Sequence, residues 1–160
     1  MMAMTSDGRN SVAGHELSQE LANALIQMPK VRSDEDSHIY PIKDRTLVVP
    51  LQSEDGRESF FLDLHSGRLN LVKATLQNRA RQIVILVRLD LGGPPHRNPD
   101  GQVIPCPHLH EYREGFGDKW ASPVPTTHFQ NLVDPWQTLH DFMTYCRIIE
   151  PPKFQRGLLP

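Results

Sequence analysis

The run Leu71 to Arg81, "LVKATLQNRAR", constrains the fold more than any other part of the chain. From position 72 the even residues are Val72, Ala74, Leu76, Asn78 and Ala80, and the odd ones are Lys73, Thr75, Gln77, Arg79 and Arg81. Side chains alternate across a β-strand with period two, so this pattern gives one apolar face and one basic, polar face. The run that follows, "QIVILVRLDL", is the most apolar segment and reads as a central strand, yet it carries Arg88 and Asp90 at even positions.

Further strands flank this pair. "RTLVVPL" and "ESFFLDLH" are β-rich and separated by the turn signal "SEDG", which predicts a hairpin pairing Leu47–Leu51 with Phe60–Leu64. "GGPPHRNPDG" is a punctuated turn, and three of its residues are prolines without an amide donor, so it is a poor phosphate cradle. His96 and Arg97 at its tip could contact a ligand. "QVIPCPHLHEY" leaves as another strand, with Cys106, His108, His110 and Tyr112 sharing parity and hence a face. After the glycine-rich turn "EGFG", "DKWASPV" returns as a strand.

Helical spacing appears at the two ends. Leu17, Leu21, Ala24, Leu25 and Met28 form one apolar stripe that Pro29 terminates. Near the other end Asp134 is an N-cap, Pro135 suits the first helical position, and Gln137 stands three residues after the cap. Trp136, Leu139, Phe142, Met143 and Cys146 then make the buried stripe. The expected fold is α+β, with an antiparallel sheet of about five or six strands flanked by an N-terminal and a C-terminal helix. Residues 1–14 read as a flexible N-terminus, 15–150 as one domain and 151–160 as a tail.

Charge is uneven although the net charge is only −2. Asp34 to Asp63 holds eight acidic and three basic residues, whereas Arg68 to Arg97 holds six basic residues and one acid, Asp90. A positive side on a near-neutral protein follows. Cys106 and Cys146 make no disulfide framework, no apolar run reaches membrane-spanning length, and "MMAMTSDGRNSVAG" lacks a signal-peptide core. The expected setting is cytoplasmic, with no membrane partner.

One sheet face is expected to be open, gathering Lys73, Thr75, Gln77, Arg79, Arg88, Asp90, His108, His110, Tyr112 and Lys119. Three functional readings of that face stand, beside the plain one that a solvated strand face needs no function. The leading one is metal-independent RNA cleavage. His108 and His110, roughly 7 Å apart at Cα, would be the acid–base pair, with Tyr112 orienting a histidine or the RNA. Lys73, Arg79, Arg88 and Lys119 would bind phosphate and stabilise the phosphorane. This reading calls for no metal or cofactor and for RNA as partner. The second is a non-catalytic protein-binding factor, antitoxin-like or anti-defence, acting on a protein encoded nearby. The third is a metal-binding enzyme built on the His-x-His pair. The spacing His108-x-His110-x₃-Glu114 after Gly101 resembles the first metal motif of cupin barrels, but the downstream glycine-rich motif with another histidine is missing and the strands are few.

At "PPHRNPDG…CPHLHEYREGFGDKWA…WQTLHDFMTYC" the chain resembles a family of short bacterial proteins of unknown function, over roughly residues 45–150. More weakly, "PHLHEY" is similar to pieces of small toxin-related bacterial domains, which implies a toxin or defence context by analogy, so that the RNA-cleavage reading becomes a toxin-type endoribonuclease.

Overall fold

The computed structural model describes residues 16–67 and 73–155. The flexible stretch expected at 1–14 lies outside these residues. In chain order the elements are α1 (Gln19–Gln27), β1 (Lys30–Arg32), β2 (Ser37–Ile39), β3 (Thr46–Ser53), β4 (Ser59–Ser66), β5 (Ala74–Ala80), β6 (Val84–Leu91), β7 (His96–Arg97), β8 (Val103–Ile104), β9 (His108–Glu111), β10 (Ala121–Pro123), α2 (Pro135–Tyr145), β11 (Ile148–Glu150) and β12 (Lys153–Gln155).

The fold is α+β, and the sheet is larger than the sequence patterns indicate. Eight strands join in the order β10-β9-β6-β5-β4-β3-β1-β11. All neighbours are antiparallel except β1 and β11. The extra strands β1 and β11 were illegible because they have three residues each, too few to display a period, whereas β10 forms within the expected "DKWASPV" strand. The β3–β4 hairpin forms as expected, with Leu51 opposite Phe60 and Leu47 opposite Leu64. The stretch expected as a tail contributes β12, which pairs in parallel with β2. Both sheet edges are short and bordered by proline, at Pro123 on one side and Pro151 on the other, which blunts edge-to-edge pairing.

Phe60, Leu62, Leu64, Leu76, Leu89 and Leu109 form the inner sheet face, in one core cluster with Leu25 and Ile26 of α1 and Leu139 and Phe142 of α2. The α1 stripe is Ala22, Leu25 and Ile26, while Ala24 faces solvent. Asp134 caps α2 by accepting from the amides of Trp136 (3.0 Å) and Gln137 (3.2 Å). Gln137 does not close a capping box, because its side-chain amide donates to Asp141 at 2.8 Å.

Cys146 lies in the core, and burial pushes its thiol up to about 12, whereas Cys106 is half-exposed. A thiolate is the reactive species, so Cys146 is inert while the fold holds. Iodoacetamide is therefore expected to label Cys106 alone in native protein and both thiols in urea; mass mapping that finds Cys146 alkylated natively would contradict this packing.

Candidate functional site

The polar sheet face is arranged in rows because register places matching residues side by side. Thr46, His65, Thr75, Asp90 and His108 are consecutive cross-strand neighbours from β3 to β9. Val48, Asp63, Gln77, Arg88 and His110 form the next row. Each step is one strand spacing, ~4.8 Å.

This face is not open at its histidine end. The β7–β8 hairpin and the turn between β9 and β10 fold over it. Asn98 clamps the hairpin to Ala121, accepting from its amide at 2.8 Å and donating to its carbonyl at 2.9 Å. The His96 Nε2 and the Lys119 carbonyl are 2.7 Å apart. Beneath this cover His108 is 3% exposed and His110 0%. The His96 ring lies 4.6 Å from that of His110 and 5.8 Å from that of His108, centroid to centroid.

Asp90 is the hub. Its Oδ1 accepts from the Thr75 hydroxyl at 3.2 Å. Its Oδ2 is 3.1 Å from Arg88 Nε, 3.2 Å from His110 Nε2 and 3.4 Å from His108 Nε2. On its other side His110 Nδ1 meets the Asp118 carbonyl at 2.8 Å. His108 Nδ1 makes no well-formed hydrogen bond, although the Pro105 carbonyl favours its protonated form. Asp90, His108 and His110 thus present one ligand atom each, all within 4.8 Å of one another.

Burial, with the neighbouring His110 adding to it, lowers the His108 pKa. Burial raises Asp90, but the His110 hydrogen bond and the Arg88 charge overcome it and hold the carboxyl at about 2. Both shifts make acid destabilising. Just below the ordinary histidine value the unfolded chain binds a proton that folded His108 refuses, so stability falls as pH drops through that window. The Asp90 contribution survives to lower pH and is lost only as pH approaches 2. In EDTA-treated protein, the melting temperature should decline as pH falls below about 6.5, and His108→Gln should flatten that decline. An unchanged slope in the variant would assign the acid sensitivity elsewhere.

The residues expected from sequence separate into groups. His108 and His110 meet at Asp90, with ring centroids 5.0 Å apart. Tyr112 does not join them, because β9 ends at Glu111 and the Tyr112 ring enters the core. Its hydroxyl accepts from the Leu17 amide at 2.7 Å and donates to the Leu17 carbonyl at 2.9 Å, so it anchors the start of α1. Arg79 makes a two-point ion pair with Asp63, one contact being Nη2 to Oδ1 at 2.9 Å, and lies over the Phe61 ring. Arg88 is held by Asp90, Asp118 and His110. Lys73 and Lys119 are exposed, and neither ammonium has an ion pair among the described residues.

A cleft of about 500 Å³ opens beside the cluster, lined by His65, Lys73, Thr75, Asp90, His96 and His108 among others. Asp44 and His65, which sequence reasoning passed over, form its far wall. His65 Nε2 is 3.2 Å from Asp44 Oδ1, and its Nδ1 is 2.8 Å from the Thr46 hydroxyl. Lys43 and Asp44 are both in the left-handed region, at φ 55 and 61, and this turn brings the carboxylate back over the sheet.

The model of a family of unknown function, DUF6978, matches residues 17–148, and the chain belongs to that family. The match includes the whole Pro94–Trp120 stretch that carries the histidines. No curated protein and no solved structure matches the chain. No helix among the described residues is long and apolar enough to cross a membrane.

Proposed function

We propose that this member of a family of unknown function is a metal-dependent hydrolase with its centre at Asp90, His108 and His110. The observation that carries the reading is the convergence of two imidazole Nε2 atoms on one carboxylate oxygen, at 3.2 and 3.4 Å. Ligands about 2.0–2.2 Å from an ion lie roughly 3.0–3.5 Å from each other, so these separations fit a shared ion. His110 turns Nδ1 toward the Asp118 carbonyl at 2.8 Å, as ligating histidines do. With Nδ1 carrying the proton, two nitrogen lone pairs and a carboxylate face one another in a buried space, which calls for a cation. Asp90, His108 and His110 would hold the ion, and the ion would supply a water nucleophile near neutral pH. The cleft lies directly alongside.

A second reading rests on Arg88. Its Nη2 is 3.1 Å from His110 Nε2, so the guanidinium can itself be the cation of the cluster. The site would then be metal-independent, with His108 as its acid–base residue, as in the toxin-type endoribonuclease. Two features favour the metal reading. The buried His110 offers no nitrogen to a leaving group, and Arg79 and Arg88 are neutralised by carboxylates. Phosphorane stabilisation would fall to Lys73 and Lys119 alone.

Elemental analysis of purified protein, zinc titration after EDTA treatment, and an RNA cleavage assay with and without EDTA test the two. About one ion per chain is expected, with any hydrolytic activity lost on chelation. RNA cleavage indifferent to EDTA, in protein that takes up no zinc, would overturn the metal reading. Neither zinc uptake nor turnover would leave the non-catalytic binding factor.

A further inference from the structure

The charges lining the cleft are unequally engaged. Asp44 faces His65, and Asp90 is surrounded by Arg88, His108 and His110. Lys73 is the other charged residue of the lining. Among the described residues its ammonium has no ion pair and no hydrogen bond.

The backbone fixes where Lys73 stands. The Gly67 amide donates to its carbonyl at 2.6 Å. On the other side Gly92, at φ +69, packs against it so closely that a Cβ there would come within 3.1 Å of Lys73 Cα and Cβ. Only glycine meets both demands, the left-handed backbone and the close approach. Thr75 is the centre of the arrangement. Asp90 is its cross-strand neighbour on one side and His65 on the other, while Lys73 precedes it by two residues, just before β5 begins. The Lys73 and Asp90 Cα atoms are therefore each within roughly 7 Å of that of Thr75.

We infer that the cleft takes a phosphate ester, held by Lys73 at one end and by the Asp90–His108–His110 centre at the other. The inference rests on the metal reading for its second point of attachment. Two positive charges separated across a small cleft suit a ligand with several anionic oxygens, which can face both at once. A carboxylate satisfies one of them. Lysine binds phosphate as a compact point charge without needing the planar match that arginine makes.

The test uses full-length zinc-loaded protein, with inorganic phosphate, adenosine 5′-monophosphate, a short single-stranded RNA and acetate as probes in calorimetry. Zinc affinity is measured separately on the same preparations. Phosphate and at least one of the phosphorylated probes should bind, and acetate should not compete at equal concentration. Lys73→Gln should weaken phosphate binding about tenfold while zinc affinity stays unchanged. Gly92→Ala, which displaces Lys73 and keeps its charge, should weaken it in the same direction. Tighter binding of RNA than of the mononucleotide would make the polymer backbone the source of the phosphate, and the reverse order a small molecule; either supports the class. Zinc uptake with no phosphate binding, equal competition by acetate, or full affinity in Lys73→Gln overturns the inference and leaves the metal centre intact. Lys73-dependent phosphate binding in protein that takes no zinc sinks the metal reading and keeps the ligand class.

Discussion

Lys30→Met is expected to lower the unfolding free energy by about 2–3 kcal/mol, in the range for leaving buried hydrogen-bonding groups without their partner. Lys30 is 0% exposed and its Nζ donates to three carbonyls: Ile26 at 3.0 Å, Met28 at 3.0 Å and Cys146 at 2.8 Å. Those carbonyls belong to the C-terminal ends of α1 and α2. Neither helix has a basic residue in its last turn, so one ammonium from β1 supplies the cation that both helix dipoles call for. It also lies 4.8 Å from the centre of the Phe60 ring. Burial lowers its pKa to about 8, which still leaves the amine charged near neutral pH. Methionine keeps the volume and removes every donor, leaving three buried acceptors without their partner. Urea unfolding of wild type and Lys30→Met measures the difference. A loss under about 1 kcal/mol would mean that water reaches these carbonyls and that the ammonium is no keystone.

Nothing in the sequence sets Lys30 apart from a surface lysine. It follows a proline in a segment too short to show a period, and its role comes from two helix ends that meet only after folding. The elements that were legible are those whose own residues carry the signal. Asp134 and Pro135 announce α2, and the alternation from Ala74 to Ala80 announces β5 with its correct inner face. Parity also put Arg88, Asp90, His108 and His110 on one side of the sheet, and the register confirms that placement.

Parity failed where the strand stopped. Tyr112 has the parity of His110, but the chain leaves β9 after Glu111 and the ring turns to the opposite side of the sheet. Register was equally out of reach. That β9 pairs with β6, setting His108 against Asp90 and His110 against Arg88, depends on which strands become neighbours, and the intervening loop does not say. The same loop carries His96 and Asn98, which close over the histidines and turn an expected open face into a covered cluster. Two of the four cations expected to bind phosphate, Arg79 and Arg88, instead meet carboxylates. Charge was counted along the strands that bear Arg79 and Arg88, while Asp63 and Asp118, which neutralise them, come from elsewhere.

The cluster itself yields the sharpest contrast, because Asp90 and Arg88 should respond in opposite ways. Asp90→Ala removes the one anionic ligand and the atom on which both imidazoles converge. Zinc affinity should fall by more than about a hundredfold, beyond the 10–100-fold typical of losing an outer hydrogen-bonding partner. Arg88→Gln removes a positive charge 3.1 Å from Asp90 Oδ2 and from His110 Nε2. Like charges repel strongly in a half-buried site, so the guanidinium opposes a divalent ion, and affinity should rise or hold. If Arg88 is instead the resident cation, Arg88→Gln leaves Asp90 and Asp118 without their counter-charge. The wild type should then take up no zinc, and both variants should lose stability. Zinc titration followed by competition with a chelator of known affinity, run on wild type, Asp90→Ala and Arg88→Gln, distinguishes the two through zinc uptake by the wild type. A melting curve for each apo-protein separates weak binding from failure to fold. Retained zinc affinity in folded Asp90→Ala would remove the carboxylate from the centre and end the hydrolase proposal.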